Sequence, residues 1–361
     1  MSKVLFASVE LEKLDASCSL PAKFGRLLDQ TNIKNVVPGK TVAIKMHLGR
    51  EMGYTTIHPM FVKILVNKVK EWGGKVYITD NEIESAADRG YTAEALGCPI
   101  VSACGETGKY YIEKKIDYKS LKDIDVAGHI ADADVLIDFS HVKGHGACGF
   151  GGAVKNISMG CVSDRTRQET HGLEGGIIWD ESKCVHCGAC VSNCNHKANS
   201  FNADGKYEVF YHHCTYCHHC VKVCPTGAIQ VDPNHGYEDF QMGMAMTTQK
   251  CLEGFAKGHI FYINFLLNMT LVCDCWGFTT PSIVPDVGIL ASEDIVSIER
   301  ASLDMIKTEN FNPASLPKGQ KLYEVEGHLL EKLHGKNPFI QLDALEKIGM
   351  GSNQYEIEEV K

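Results

Sequence analysis

The chain has 361 residues, 44% of them hydrophobic, which is enough apolar material for a substantial core and length enough for two or three domains. A formal net charge of -9, with no basic stripe interleaved with aromatics, argues against nucleic acid as a partner. The apolar run after the first residues is far shorter than a secretory core and no run approaches bilayer length, so the expectation is a cytoplasmic globular protein with no membrane partner.

Taken in chain order, Val4 to Val9, Thr41 to Leu48, Lys75 to Thr79, Ile100 to Ala103 and Val135 to Phe139 read as short buried strands. Between them Ala22 to Asn32, Pro59 to Trp72 and Asp88 to Gly97 have helical periodicity. That alternation predicts an α/β fold, a mostly parallel sheet flanked by helices. A glycine-rich run over 144–160 follows, with a helix expected from Ala153 to Met159. After a cysteine-rich stretch the pattern resumes with a helix over Tyr237 to Phe255, strands over His259 to Cys273 and Val287 to Ala291, and a helix over Glu293 to Lys307. Residues 310–361 are polar and loop-rich, with a short helix near Gln341 to Ile348, and are expected to wrap the surface. The domain reading is therefore 1–176 and 233–361 as two parts of one α/β domain, with 177–232 inserted, because either flank alone would leave a sheet without its covering helices.

The insert holds half of the sixteen cysteines in two copies of C-x-x-C-x-x-C-x-x-x-C, the second followed by Pro225. In this run three closely spaced thiolates hold one cubane and the fourth reaches across to the other. The pattern predicts two 4Fe-4S clusters: Cys184, Cys187, Cys190 and Cys224 for the first, and Cys214, Cys217, Cys220 and Cys194 for the second. Zinc sites use paired C-x-x-C units and so fit the run poorly. Sixteen cysteines in a chain of this kind favour metal ligation over disulfides and a reducing, anaerobic setting. Seven histidines, His186, His196, His212, His213, His218, His219 and His235, lie in or beside the same segment. Imidazolium charge near a cubane would raise its potential as pH falls.

The insert resembles two-cluster ferredoxin domains, with Cys224-Pro225-Thr226-Gly227-Ala228-Ile229 as the exit from a cluster loop. The flanks resemble the domain-of-unknown-function family 362 through Lys45-Met46-His47-Leu48-Gly49, Asp80-Asn81, Lys143-Gly144-His145-Gly146, Gly149-Phe150-Gly151-Gly152-Ala153-Val154-Lys155-Asn156 and Cys273-Asp274-Cys275. The resemblance spans nearly the whole chain and implies an iron-sulfur protein of anaerobic bacteria or archaea. It implies no substrate.

In an open parallel sheet, ligands bind beyond the carboxyl ends of the strands. Lys45, His47 and His58 follow the second strand, Asp80, Asn81 and Glu82 the third, and Asp138, His141, Lys143 and His145 the fifth, which marks a crevice there. Lys45, His47, His145, Cys273 and Cys275 are the candidate catalytic residues. Lys143, Gly151, Gly152 and Lys155 are the candidate anion-binding group, since glycines let backbone N–H groups approach a ligand and the helix from Ala153 would present its N-terminus. The spacing matches neither the Walker A nor the dinucleotide motif, so ATP and NAD are not supported. Cys273 and Cys275, read as the end of an apolar strand, point to one side and could share a soft metal, with Cys148 and Cys161 as further ligands.

Two functions follow from these residues. One is an iron-sulfur electron-transfer protein whose α/β domain docks a redox partner protein. The other is a ferredoxin-dependent reductase or metal-dependent redox enzyme whose crevice takes a small anionic substrate or an additional metal or anionic cofactor. No recognised acid–base or nucleophile motif secures the enzyme.

Overall fold

A computed structural model describes residues 1–194, 197–210, 214 and 218–361. Eight strands form the central sheet: β1 Ser2–Ser8, β2 Thr41–Lys45, β3 Lys75–Asp80, β4 Ile100–Ser102, β5 Val135–His141, β6 Ile260–Leu266, β7 Gly288–Ser292 and β8 Tyr355–Glu359. Their order across the sheet is β8-β1-β7-β6-β5-β2-β3-β4. Only β7 runs antiparallel to its neighbours, so the sheet is mostly parallel.

Alternation along these strands divides the core into two layers. Val42, Ile44, Val135, Ile137, Phe139, Phe261, Ile263 and Phe265 face one side, under helices α1 Leu20–Gln30 and α2 Pro59–Glu71. There Phe24, Phe61, Phe139 and Phe265 meet edge-on or tilted, with centroids 4.7 to 6.1 Å apart. Ala43, Leu136, Tyr262 and Leu290 face the other side, against helices α3 Ala153–Gly160, α5 Tyr237–Leu252, α6 Ile295–Met305 and α7 Ile340–Lys347. A further helix, α4 Asp164–Gly172, follows α3. On this second face the alternation also carries Asp138, Ser140 and Asn264, all buried, so a polar strip lies beneath α3 and α6.

Three expectations change. The strand read over His259 to Cys273 stops at Leu266, where Asn268 takes a positive φ of 49° and its N–H is held by Asp286. Cys273 therefore does not end a strand but starts a short 3-10 turn over Asp274–Trp276. The tail is more than a surface wrap: Leu329, Leu330, Leu342 and Leu345 are buried in the core, and β8 joins the sheet beside β1. Its Glu356, Glu358 and Glu359 belong to a charged edge strand, and that charge hides it from a periodicity reading. The helix expected over Asp88 to Gly97 shrinks to Ala93–Leu96, and a hairpin over Tyr111–Tyr118 and Leu121–Ala127 stands where no element was expected.

In the insert, Ile177–Trp179 pairs with Ile229–Val231 and Asn199–Phe201 pairs with Tyr207–Val209, both antiparallel. One-turn helices Ala189–Ser192 and His219–Lys222 carry Cys190 and Cys220. No described helix is long and apolar enough to cross a membrane.

Candidate functional site

Parallel β2, β3 and β5 end on the same edge of the sheet, which brings Lys45, Asp80 and Asp138 together. The Lys45 ammonium lies 3.0 Å from Asp80 Oδ1, both groups being buried, and donates to Asn156 Oδ1 at 2.7 Å. Asn156, one turn into α3, returns its amide to the Lys45 carbonyl (3.1 Å) and to Asp138 Oδ1 (2.8 Å). His47 Nδ1 faces Asp80 Oδ2 at 2.9 Å, and the Leu48 N–H reaches the same oxygen. Burial works against ionisation of Asp80, but Lys45 and His47 together outweigh it and hold its carboxyl well below the usual range. Burial also opposes charge on His47, yet Asp80 and Cys273 overcome it and raise the imidazole. Asp138 differs: burial pushes its carboxyl up to about 8 against hydrogen bonds from Ser140 and Asn156.

A cavity of about 450 Å³ opens here, lined by Lys45, His47, Asp80, His141, Lys143, Gly151, Gly152, Lys155, Asn156, Cys273 and Cys275 among others. Four of the five candidate catalytic residues and all four candidate anion-binding residues line it. His145 is not on the lining and stands behind, with Cys273 and Cys275, one ligand atom from each lying within 4.8 Å of the others. His58 is elsewhere: its Nδ1 accepts from the Met60 N–H as the N-cap of α2.

The glycine run acts differently from expectation. The N–H groups of Ala153 and Val154, which would have met an anion, are taken by the Glu299 carboxylate at 2.8 and 3.4 Å. A Cβ on Gly152 would fall 2.3 Å from Glu299 Oε1, so this glycine makes room for an internal carboxylate. Burial lifts Glu299 to about 7 despite these bonds and that of Asn264. Similarly, a Cβ on Gly144 would meet the Leu271 carbonyl at 2.3 Å. What remains for an anion in the cavity is side-chain charge. Lys45 is paired with Asp80, Lys143 with Asp274, and Arg50 and Arg167 with Glu82. Lys155 has no carboxylate within ion-pair distance among the described residues and lies 5.8 Å from the Phe240 ring centroid.

Asp274 was not anticipated as a site residue. Buried between the two cysteines in sequence, it binds Lys143 Nζ and His141 Nδ1, each at 2.8 Å, while His141 Nε2 contacts the Leu267 carbonyl. Burial opposes its charge, but Lys143 and His141 keep it ionised far below the usual carboxylate range. Its signal in the sequence was an acid between two thiols, which reads equally well as a surface turn.

Around Cys273, the Cys275 side chain, His145 and Lys143 hold the thiol well below its ordinary range against the effect of burial, while Cys275 is pushed well above. The Cys275 N–H also points to Cys273 Sγ at 3.4 Å. The Ala147 N–H donates to His145 Nδ1 at 3.1 Å, so in the neutral ring Nε2 carries the proton and is the nitrogen available to the Cys273 sulfur. The three groups have the spacing of a metal site, but the imidazole offers a proton there in place of a lone pair. Cys148 gives its S–H to the Phe150 carbonyl and Cys161 is packed in the core; neither lines the cavity.

In the insert, Cys184, Cys187, Cys190 and Cys224 line one small cavity with Phe201, Pro225 and Ile229. Four thiols converging on one space are a donor set suited to an iron-sulfur cubane. Of the second set, Cys194, Cys214 and Cys220 are described, while Cys217 lies outside the described residues, as do His196, His212 and His213. The insert meets the α/β domain at Cys214. Its carbonyl accepts from the buried Lys336 ammonium (2.9 Å) and from the Tyr237 hydroxyl (3.1 Å). The same Lys336 ammonium donates to the carbonyl of Gly146, next to His145. Phe210 and Trp276, which follows Cys275, pack with centroids 5.9 Å apart.

Comparison with known proteins finds relatives of part of the chain and a family model over most of it. Escherichia coli "Protein NrfC" is 30% identical over 100 residues, 23% of this chain and 45% of that protein. A ferredoxin of Pyrobaculum islandicum is 36% identical over 53 residues, 15% of this chain and 50% of its own length. The chain thus spans about half the length of these two relatives. An uncharacterized ferredoxin of Methanocaldococcus jannaschii is 39% identical over 59 residues, 16% of this chain but 95% of that protein. Among solved structures, the lactate racemase apoprotein from Thermoanaerobacterium thermosaccharolyticum aligns at 12% identity with a TM-score of 0.39, covering 74% of this chain and 51% of the other. The family model described as "Domain of unknown function (DUF362)" matches residues 42–304, running through the insert and both flanks, and the chain belongs to that family.

Proposed function

We propose that the protein transfers electrons through two 4Fe-4S clusters with crossed ligation and delivers them to the crevice of the α/β domain. The ferredoxin-like relatives support iron-sulfur electron transfer, and the convergence of Cys184, Cys187 and Cys190 with Cys224 from the second run supports the crossing. The observation that carries delivery to the crevice is Lys336, whose single buried ammonium is shared by the carbonyl of Cys214 in one cluster loop and that of Gly146 beside His145. A dedicated carrier has no need of such a joint. This favours the reductase reading over a domain that only docks a partner. The external donor is then a redox partner protein that meets the exposed Cys187 side of the insert.

Anaerobic iron and sulfide analysis with paramagnetic resonance of the reduced protein tests the cluster assignment. The expected result is about eight irons and two interacting reduced centres per chain. Replacing Cys224 with Ser should damage the cluster built on Cys184, Cys187 and Cys190. Selective loss of the other cluster would overturn the crossing.

A further inference from the structure

The geometry points to a second redox centre in the crevice: we propose that Cys273 and Cys275 act as a dithiol that reduces the disulfide bond of a small anionic substrate. This deepens the reductase reading and rests on it for the resupply of electrons, but its first half-reaction needs only the two thiols.

Four observations converge. The two sulfurs lie within 4.8 Å of each other on a tight turn and both line the cavity. Cys273 is set up as the nucleophile, because the Cys275 N–H and His145 stabilise a thiolate at its sulfur and Cys275 retains its proton. His47 supplies the proton chemistry: its Nδ1 is fixed on Asp80, its Nε2 has no hydrogen-bond partner among the described residues, and the ring lies within electrostatic reach of Cys273. Lys155 supplies the specificity, as the cavity cation left without a carboxylate partner among the described residues.

The steps balance. The Cys273 thiolate attacks one sulfur of the substrate disulfide; that S–S bond breaks, a mixed disulfide forms, and the departing thiolate takes a proton from His47. Cys275 then loses its proton to His47 and attacks the Cys273 sulfur, which releases the second substrate thiolate and leaves a Cys273–Cys275 disulfide. Two electrons, one from each cluster, and one proton restore the Cys273 thiolate and the Cys275 thiol. A low-potential one-electron donor protein recharges the clusters. One disulfide thus matches the capacity of two one-electron centres.

The test uses anaerobic protein with its clusters intact and two aromatic disulfide probes, dianionic 5,5′-dithiobis(2-nitrobenzoate) and neutral 2,2′-dithiodipyridine. The wild type should expel both halves of the probe and gain a Cys273–Cys275 disulfide, read by peptide mass mapping. Cys275→Ser should stop at an adduct on Cys273. Lys155→Met should slow the dianionic probe by about tenfold while leaving the neutral one unchanged, the difference expected from removing one unpaired charge in a partly enclosed site. Visible cluster absorbance in each variant reports intact folding. Labelling of other cysteines with Cys273 untouched would overturn the proposal, as would a metal other than cluster iron that is bound in the wild type and lost in Cys273→Ser. Failure of the cluster assignment would appear separately, as missing iron with the thiol chemistry unchanged.

Discussion

The insert and the α/β domain are stabilised by different means. Among the described residues, the buried hydrophobic cluster of the insert consists of Ile177, Cys190, Tyr207, Cys220 and Ile229, and two of these five are proposed cluster ligands. The α/β domain instead buries two apolar layers on either side of an eight-stranded sheet. A segment with so little buried apolar surface is poorly placed to offset its chain entropy, so its fold is expected to depend on the proposed clusters. The larger domain has enough core to tolerate buried charge at the sheet edge, and that is where the crevice chemistry lies.

The largest expected effect follows from that difference. Iron chelation or air oxidation should unfold residues 177–232 while the α/β domain keeps its protection, measured by hydrogen exchange. Uniform loss of protection along the chain would contradict the division.

The second effect belongs to the α/β domain alone. Asp138 and Glu299 have folded-state pKa values near 8 and 7, both raised by burial, so the folded state binds more protons than the unfolded chain above about pH 4. Stability from these groups is therefore greatest at or below the unfolded values and is lost as pH rises through 7 and 8. The melting temperature of the α/β transition should fall by several degrees between pH 6 and pH 9, whereas a profile flat over that range would mean that the two carboxyls are already ionised.

Gly152→Ala probes the same polar strip. Its methyl would fall 2.3 Å from Glu299 Oε1, between two buried elements, and should cost about 1–3 kcal/mol in denaturant unfolding with the insert unaffected. Lys336→Met acts on the joint between the two regions. It should leave iron content intact and cost about 1–2 kcal/mol, since the carbonyls of Cys214 and Gly146 lose a shared donor, while electron delivery to the crevice slows.

The convergence of Cys184, Cys187, Cys190 and Cys224 on one space was legible because thiol spacing encodes it locally. The sheet was legible in β2, β3 and β5, where aliphatic bursts are bounded by polar residues, and the convergence of Lys45, His47 and Lys143 followed from the strands being parallel. Three contributions were not legible, each for a physical reason. Glu299 reaches the N-terminus of α3 from 146 residues away, and no local pattern distinguishes it from a solvated glutamate on a helix. Asp274 becomes an internal counter-ion only because Lys143 and His141 fold over it. Lys336 sits in the tail that reads as polar wrap, yet it is buried and joins the two regions.

The most direct test of electron delivery from insert to crevice is rapid anaerobic mixing of fully reduced protein with the dianionic disulfide, following cluster reoxidation by absorbance. In the wild type both clusters should reoxidise, Lys336→Met should do so more slowly, and Cys273→Ser should hold its clusters reduced. Reoxidation of Cys273→Ser at the wild-type rate would contradict the account, because the electrons would then leave the insert without passing through the crevice.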